Sequence, residues 1–490
     1  MIGNKDADRS LLIPKWLSYR KSFPPEFEIP RTKDLPAISK TRAGFNDDYL
    51  RFKESPNLTV ACDLLHSSVI LDEIEVAREA TEFISSQENA PIAAIELSRR
   101  FFEGDSRANV LTSIDKEISH VRRTLRDQNR NSLLWVELGR LFTIKGEREK
   151  ARRCVLTAIH LDGYNRFIVR SVGRFFIHCN EPDTAYRFAQ RAIEYDKDPA
   201  ILAFQINSSM LGGGRPPKLG RISLDALPQH EALRYSELVA SLGVTELKAG
   251  KEKKARRLFQ LAWSTPTETV TAHAEWIIRN IFPVLREKER IDYSISAEAS
   301  AWRNYFDLKL RTAIEYAREW ILEEPYSTHP FLCASGIACS AEDYDRAIDF
   351  AQEGLGANPQ DYLLKNNLAF AYLKRGKLEA AKQVLDSIPR NIRETESEFL
   401  IATSGLYEFK KRNIERGREN YLRAFSLSKR KGNLKAAAKA LLSLAIAERD
   451  AHTKTAMEIR DRALAESETI LEPGIKLLRE ALLPSLGRIR

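Results

Sequence analysis

The residues of this chain that could bind a metal or attack a substrate are few and scattered. Eight histidines and five cysteines (Cys62, Cys154, Cys179, Cys333 and Cys339) are spread over 490 residues. The densest group is Cys154, His160, His178 and Cys179, followed by Cys333 with Cys339. Metal sites draw His, Cys or carboxylate ligands from short helical or turn spacings, and neither group keeps one. Cysteine commonly acts as a small buried hydrophobe, so both groups read as core filler. The patterns HExxH, GxSxG and GxxxxGK[ST] are absent. Lys218 lies in the glycine-rich stretch 212–220, but no Ser or Thr follows it and no strand precedes it, so a phosphate cradle is not expected. The pairs Asp47-Asp48 and Glu323-Glu324 read as solvated or capping carboxylates. The expected chemistry is recognition, with no enzymatic activity, no cofactor and no metal.

Arginine offers that kind of chemistry. Arg170 and Arg174 are four apart, which puts them on one face of a helix, and Arg140 and Arg174 stand 34 apart. A guanidinium pairs bidentately with carboxylates and lies well against aromatic rings. Three on one wall would repel each other unless acids sit nearby. Those acids are either Glu137 and a neighbouring unit's carboxylates, or an acidic segment docked from the chain itself or from a partner. The net charge is +9, from 77 Lys and Arg against 68 Asp and Glu. Basic runs at 248–257, 410–418 and 429–439 read as solvated helix faces and turns, since the excess is not gathered on one tail. No apolar run approaches the ~18 residues of a membrane span, and the first ten residues are too polar for a signal peptide. Sparse cysteine fits a reducing cytoplasm, the expected location.

The elements that must carry these side chains repeat. From Ser132 the chain shows Trp135, Leu138-Gly139 and Phe142, a turn at Gly146, then Ala151, Val155 and Ala158. Two amphipathic helices joined by a short turn give this spacing. The next unit repeats it with Val169, Val172-Gly173 and Phe176, a turn at 180–182, then Ala185, Ala189 and Ala192. Glycine or alanine at the eighth and twentieth positions lets the helices approach closely. Leu242-Gly243, Gly250, Ala255, Phe259 and Ala262 form a further copy. Ala313, Ala347 and Ala381 stand 34 apart, with Pro325 and Pro359 closing two units and Leu368-Ala369, Tyr372 and Gly376 shaping a third. Another holds Gly405, Gly417, Tyr421 and Ala424, and a looser one covers 435–468.

This pattern resembles the tetratricopeptide repeat, over about residues 130–470. The resemblance implies an all-α, right-handed superhelical solenoid of antiparallel helix pairs, with first helices lining a concave groove. Members of this family bind protein segments and scaffold assemblies, and are rarely enzymes. Positions 2, 5, 9 and 12 of each first helix would face the groove. They place Arg140, Phe167, Arg170, Arg174, Asn366 and Phe370 on its wall. The Lys–Asn clamp of chaperone-binding members is not reproduced in consecutive units, so a terminal carboxylate is not the expected ligand. The expected partner is a protein, through an acidic or aromatic segment. The alternative is a helical-repeat nucleic-acid-binding protein using the basic runs.

The N-terminal segment differs from the repeats. Pro14, Pro24, Pro25, Pro30 and Pro36 forbid a continuous helix, whereas Leu11, Leu12, Ile13, Trp16, Leu17 and Phe23 are too apolar for a free tail. Such an arm either packs on its own solenoid or orders on a partner. The expected divisions are 1–88 for the arm and a leading helix, 89–470 for the solenoid, and 471–490 for a capping helix and tail. Within the second, helices are expected at 91–103 and 111–126, a loop at 212–217, and an interruption at Pro283.

Overall fold

The computed structural model describes residues 9–18, 42–70, 73–87, 90, 107–195, 197–215, 232–285, 291–393 and 397–483. Among these the chain is an all-α solenoid of antiparallel helix pairs without a strand. It divides into two compact units, residues 19–120 and a larger one of residues 121–490 with the first eighteen residues. Within the smaller unit, Arg42–Glu54, Leu58–Ile70 and Ile74–Ser86 close around Phe45, Phe52, Leu64, Leu65, Ala80 and Ile84. Three packed helices thus stand where an arm and one leading helix were expected, because these apolar stripes bury one another. The expected helix at 91–103 lies outside the described residues, and its neighbour runs Arg107–Asp127.

In the larger unit the first helices are Ser132–Ile144, Arg166–His178, Pro199–Leu211, Ala232–Lys248, Glu268–Asn280, Ala297–Phe306, Thr328–Ser340, Tyr362–Lys374, Glu398–Lys410 and Leu434–Asp450. Most have a second helix packed antiparallel behind them, as in Arg148–Leu161 and Tyr344–Ala357. Side-chain caps fix where first helices start. Asn165 accepts from the amides of Phe167 and Ile168, and Asp361 from those of Leu363 and Leu364, satisfying donors the helix itself leaves open. The turn that follows needs one residue with positive φ. Glycine supplies it at Gly146 and Gly376, while Asn180 and Arg412 adopt it at φ 63° and 66°. After Glu268–Asn280 the chain makes a short helical turn at Pro283–Leu285, which the proline opens. The C-terminal helix Pro473–Leu482 buries Ile475 and Leu482 against the last pair.

Helix pairs approach through small residues. Ala313, Ala347 and Ala381, 34 apart, are all fully buried. A methyl added at Gly139 would lie 2.8 Å from Val155 Cγ1, and one at Gly173 2.2 Å from two ring carbons of Phe204. Two further contacts join units distant in sequence. The turn at Gly146 reaches the end of helix Tyr344–Ala357, where an added methyl would meet Gly356 O at 3.3 Å. Tyr305 donates its hydroxyl hydrogen to Glu472 Oε1 at 2.8 Å and accepts from Gly474 N at 3.1 Å.

These contacts separate two glycine substitutions. Gly173→Ala should cost about 1–3 kcal/mol, because Phe204 cannot give way in a filled interior. Gly336→Ala, where an added methyl meets nothing within 4 Å, should instead stabilise by about 0.5–1 kcal/mol through helix propensity. Thermal unfolding followed by circular dichroism reads both.

Candidate peptide-binding groove

Residues 9–18 lie within the larger unit, a turn at 9–11 followed by an extended stretch at 12–18, held by the first helices and the loop at 324–327. The pyrrolidine ring of Pro14 locks its own φ and biases Ile13 toward extended backbone. Leu11 and Leu12 are both buried, and from Leu12 on the pattern has a period of two: Leu12, Pro14, Trp16 and Ser18 are buried, and Ile13, Lys15 and Leu17 half-buried. That is the alternation of an extended chain. Among the described residues no strand lies beside it, and groove side chains take up its peptide groups. Asn207 Oδ1 accepts from the Leu12 amide at 3.0 Å, and the Tyr326 hydroxyl from the Trp16 amide at 2.9 Å. His273 Nε2 lies 3.1 Å from the Ser10 carbonyl oxygen, an acceptor, which assigns the ring proton to Nε2.

Both acceptors are preorganised. Asn207 donates its amide hydrogens to Ser241 Oγ and Ala203 O, each at 2.7 Å, which turns Oδ1 toward the arm. Tyr326 donates to Glu324 Oε1 at 3.2 Å, and Glu324 Oε2 accepts from the Trp320 indole at 2.9 Å. Burial, with Glu324 alongside, pushes the Tyr326 phenol well above its ordinary range and keeps it protonated. The fully buried Trp16 ring sits edge-on to Phe175 at 6.1 Å and tilted against Tyr326 at 5.5 Å.

Two cationic side chains anchor the segment. Arg9 donates to Glu298 Oε1 at 2.9 Å and lies 4.9 Å from the Trp302 ring centre. Lys15 bonds Glu268 and Glu323. Burial alone would lower the Lys15 pKa, but Glu268, Glu323 and Glu324 together raise it above its usual value. Burial, reinforced by Glu323 and opposed by Lys15, lifts Glu268 from 4.5 to about 7.

The six wall residues expected from the repeat pattern are distributed as follows. Buried Arg140 donates to Glu137 on its own helix at 2.8 Å, and Arg170 donates to Glu237 Oε2 at 2.7 Å. Arg174, 3% exposed, reaches Ser327 Oγ at 3.4 Å and Glu324 Oε1 at 3.6 Å, and lies 5.3 Å from the Tyr326 ring centre. Arg174 therefore joins the seat of the arm. Asn366 accepts from Thr403 Oγ1 at 2.8 Å, while Phe167 and Phe370 are half-buried. The structure pairs each arginine with a carboxylate of the chain itself, so their charge does not call for an acidic partner. Sequence alone does not single out Asn207, His273, Tyr326 or Glu268, and it reads Glu323-Glu324 as solvated or capping carboxylates. The structure instead pairs Glu323 with Lys15 and buries Glu324 against Trp320 and Tyr326, because the arm covers them. Asn207 carries a signal all the same, since it is the ninth residue of its helix, as Arg140 and Arg174 are of theirs.

The scattered sulfur and histidine residues do other work. Cys154 is buried next to Gly139, its thiol pushed up to about 11 by burial, and His178 sits edge-on to Tyr326 at 5.9 Å. Among the described residues no group of three or more His, Cys, Asp or Glu could hold a metal ion, and no helix is long and apolar enough to cross a membrane.

A solenoid of helix–turn–helix units with an extended segment in its groove defines a class, the helical-repeat proteins. The chain matches the tetratricopeptide repeat family over residues 338–400. No curated protein matches it. Similar solved structures include the APC/C hetero-tetramer Cut9-Hcn1, at 12% identity over 90% of this chain and 93% of that one, with a TM-score of 0.35. The human IFIT1 dimer with PPP-AAAA is 14% identical over 89% and 96%, with a TM-score of 0.31. Yeast Tom70 is 11% identical over 76% and 92%, with a TM-score of 0.30.

The ion pairs yield two predictions. Arg174→Ala should cost about 3–5 kcal/mol, because Glu324 is left buried without its cation. Arg170→Ala, at a half-buried site, should cost clearly less, and chemical denaturation separates the two. For Glu268, the folded chain holds its proton more tightly than the unfolded chain does. Stability should therefore fall as pH rises from 4.5 to about 7 and level off above. Glu268→Gln should flatten that part of a melting-temperature profile against pH.

Proposed function

We propose that this protein is a non-enzymatic interaction scaffold whose concave groove recognises extended polypeptide segments. The observation that carries this reading is the seating of residues 9–18. Asn207, Tyr326 and His273 read backbone groups, which gives sequence-independent hold, while the Trp16 and Lys15 seats read side chains. Peptide-recognition surfaces divide the task in the same way. Phe167, Asn366 and Phe370, half-buried at groove positions, are the wall residues we assign to a partner, with Arg140, Arg170 and Arg174 shaping the wall through their ion pairs. The buried, unbridged thiols of Cys154 and Cys333 suit a reducing cytoplasm.

The nucleic-acid alternative leans on the basic runs, and part of their charge is already met inside the chain. Lys251 and Lys254 pair with Glu246, Arg418 with Glu448, Lys429 with Glu466, Lys431 with Glu398, and Lys439 with Glu472. Phosphate binding would have to break these pairs.

Affinity purification of the full chain from its native cells tests the reading. A stoichiometric protein should co-purify, survive nuclease treatment, and be lost from a Phe370→Ala variant whose melting temperature is unchanged. Nuclease-sensitive recovery with steep salt dependence would instead support the nucleic-acid reading.

A further inference from the structure

The arm's seat is specific in chemistry, and it fits its present occupant imperfectly. At one end Asn207 offers an acceptor fixed by its own bonds to Ser241 and Ala203. At the other, Tyr326 offers a hydroxyl oxygen fixed by its bond to Glu324. Between them lie two carboxylates, Glu268 and Glu323, that hold one cation. If the segment left, these groups would remain in a recessed groove without partners, so any replacement must supply an amide, an amide and a cation to match them. The Trp16 pocket, by contrast, reads only ring area. Its walls are Phe175 and Tyr326, and the buried indole N–H finds no acceptor among the described residues. A partly open pocket of about 70 Å3 lies beside the segment, lined by Arg9, Lys15, Arg174, Glu298 and Glu324 as well as Leu11 and Leu12, and water can fill it. The unsatisfied buried donor is a cost that a different occupant could avoid. Among the described residues the segment joins no helix or strand, and side chains of the groove hold its peptide groups.

We infer that residues 9–18 are a tethered stand-in for a partner protein's extended segment of the same chemistry: two adjacent aliphatic residues followed, three and four positions on, by a lysine and an aromatic residue. The inference rests on the groove's proposed role in reading peptides, and adds what is read and how access is controlled. The arm blocks the groove until a matching segment displaces it. A partner with phenylalanine at the aromatic position gives up some ring area but no longer buries an indole N–H without an acceptor, and the two effects offset. A partner with glutamate at the lysine position is refused, because it would face Glu268 and Glu323.

The test uses the full chain with a specific protease site placed within residues 19–41, and a fluorescein-labelled peptide of the sequence of residues 9–18. Before cleavage the peptide should bind weakly, since covalent connection presents the arm at roughly millimolar effective concentration. After cleavage its affinity should rise about 100-fold. A peptide with Lys15→Glu should bind at least about 30-fold more weakly than the parent, and one with Trp16→Phe should match it. In the uncut chain, Lys15→Glu should weaken the protein's own arm and admit the parent peptide without cleavage. If the cut arm stays bound and never exchanges, or the cut chain loses its helical circular dichroism, the arm is a permanent part of the core and the inference is overturned. The scaffold reading would then still stand on the native-cell purification, which does not depend on exchange.

Discussion

An extended segment inside a helical groove has peptide groups that no neighbouring strand can satisfy. Each donor or acceptor left buried without a partner costs about 1–3 kcal/mol, enough together to expel the segment. Here the groove meets that demand with polar side chains rising from otherwise apolar helices. Asn207 stands in a helix whose neighbours Phe204 and Ile206 are buried, and its orientation is held by Ser241, which donates in turn to the Glu237 carbonyl. Tyr326, Glu324, Trp320 and Arg174 form a second such relay. The polar residues of the first helices and of the 324–327 loop make sense as a scaffold for one foreign backbone.

Solenoids are usually described as one-dimensional, each repeat supported by its neighbours alone. Three features depart from that description. The arm touches units from Arg166–His178 to Thr328–Ser340. The Gly146 turn meets the end of Tyr344–Ala357. Tyr305 is locked to Glu472 and Gly474. Each tie couples the stability of repeats that share no helix-pair interface, so the larger unit should behave as one cooperative body rather than a stack that frays repeat by repeat.

The repeats are legible in sequence because their packing rule is local. Small residues at fixed spacing, as at Gly139 and Gly173, admit a neighbouring side chain, and the buried alanines at 313, 347 and 381 keep the period. The arm's apolar character is equally plain. What sequence does not reveal is pairing across distance. Arg170 finds Glu237, and Arg174 finds Glu324, each several helices further along the chain. No periodicity connects those positions, since superhelical curvature brings them together. Asn207 is readable in principle from its ninth position, but its unit loses the repeat pattern at Gly212, where the second helix would follow.

The seating of Trp16 against Tyr326 also sets a schedule for synthesis. The two residues are 310 positions apart, so the first part of the groove's ligand to leave the ribosome precedes the last part of its seat by most of the chain. At about 5–20 residues per second, that gap lasts roughly 15–60 seconds. During it an aromatic and aliphatic segment has no home, while the repeats that will receive it form one after another. The nascent arm is thus exposed to chaperones for the whole time the solenoid takes to curve around its place. The final docking step waits on the emergence of residues 324–329, a late event for the segment made first.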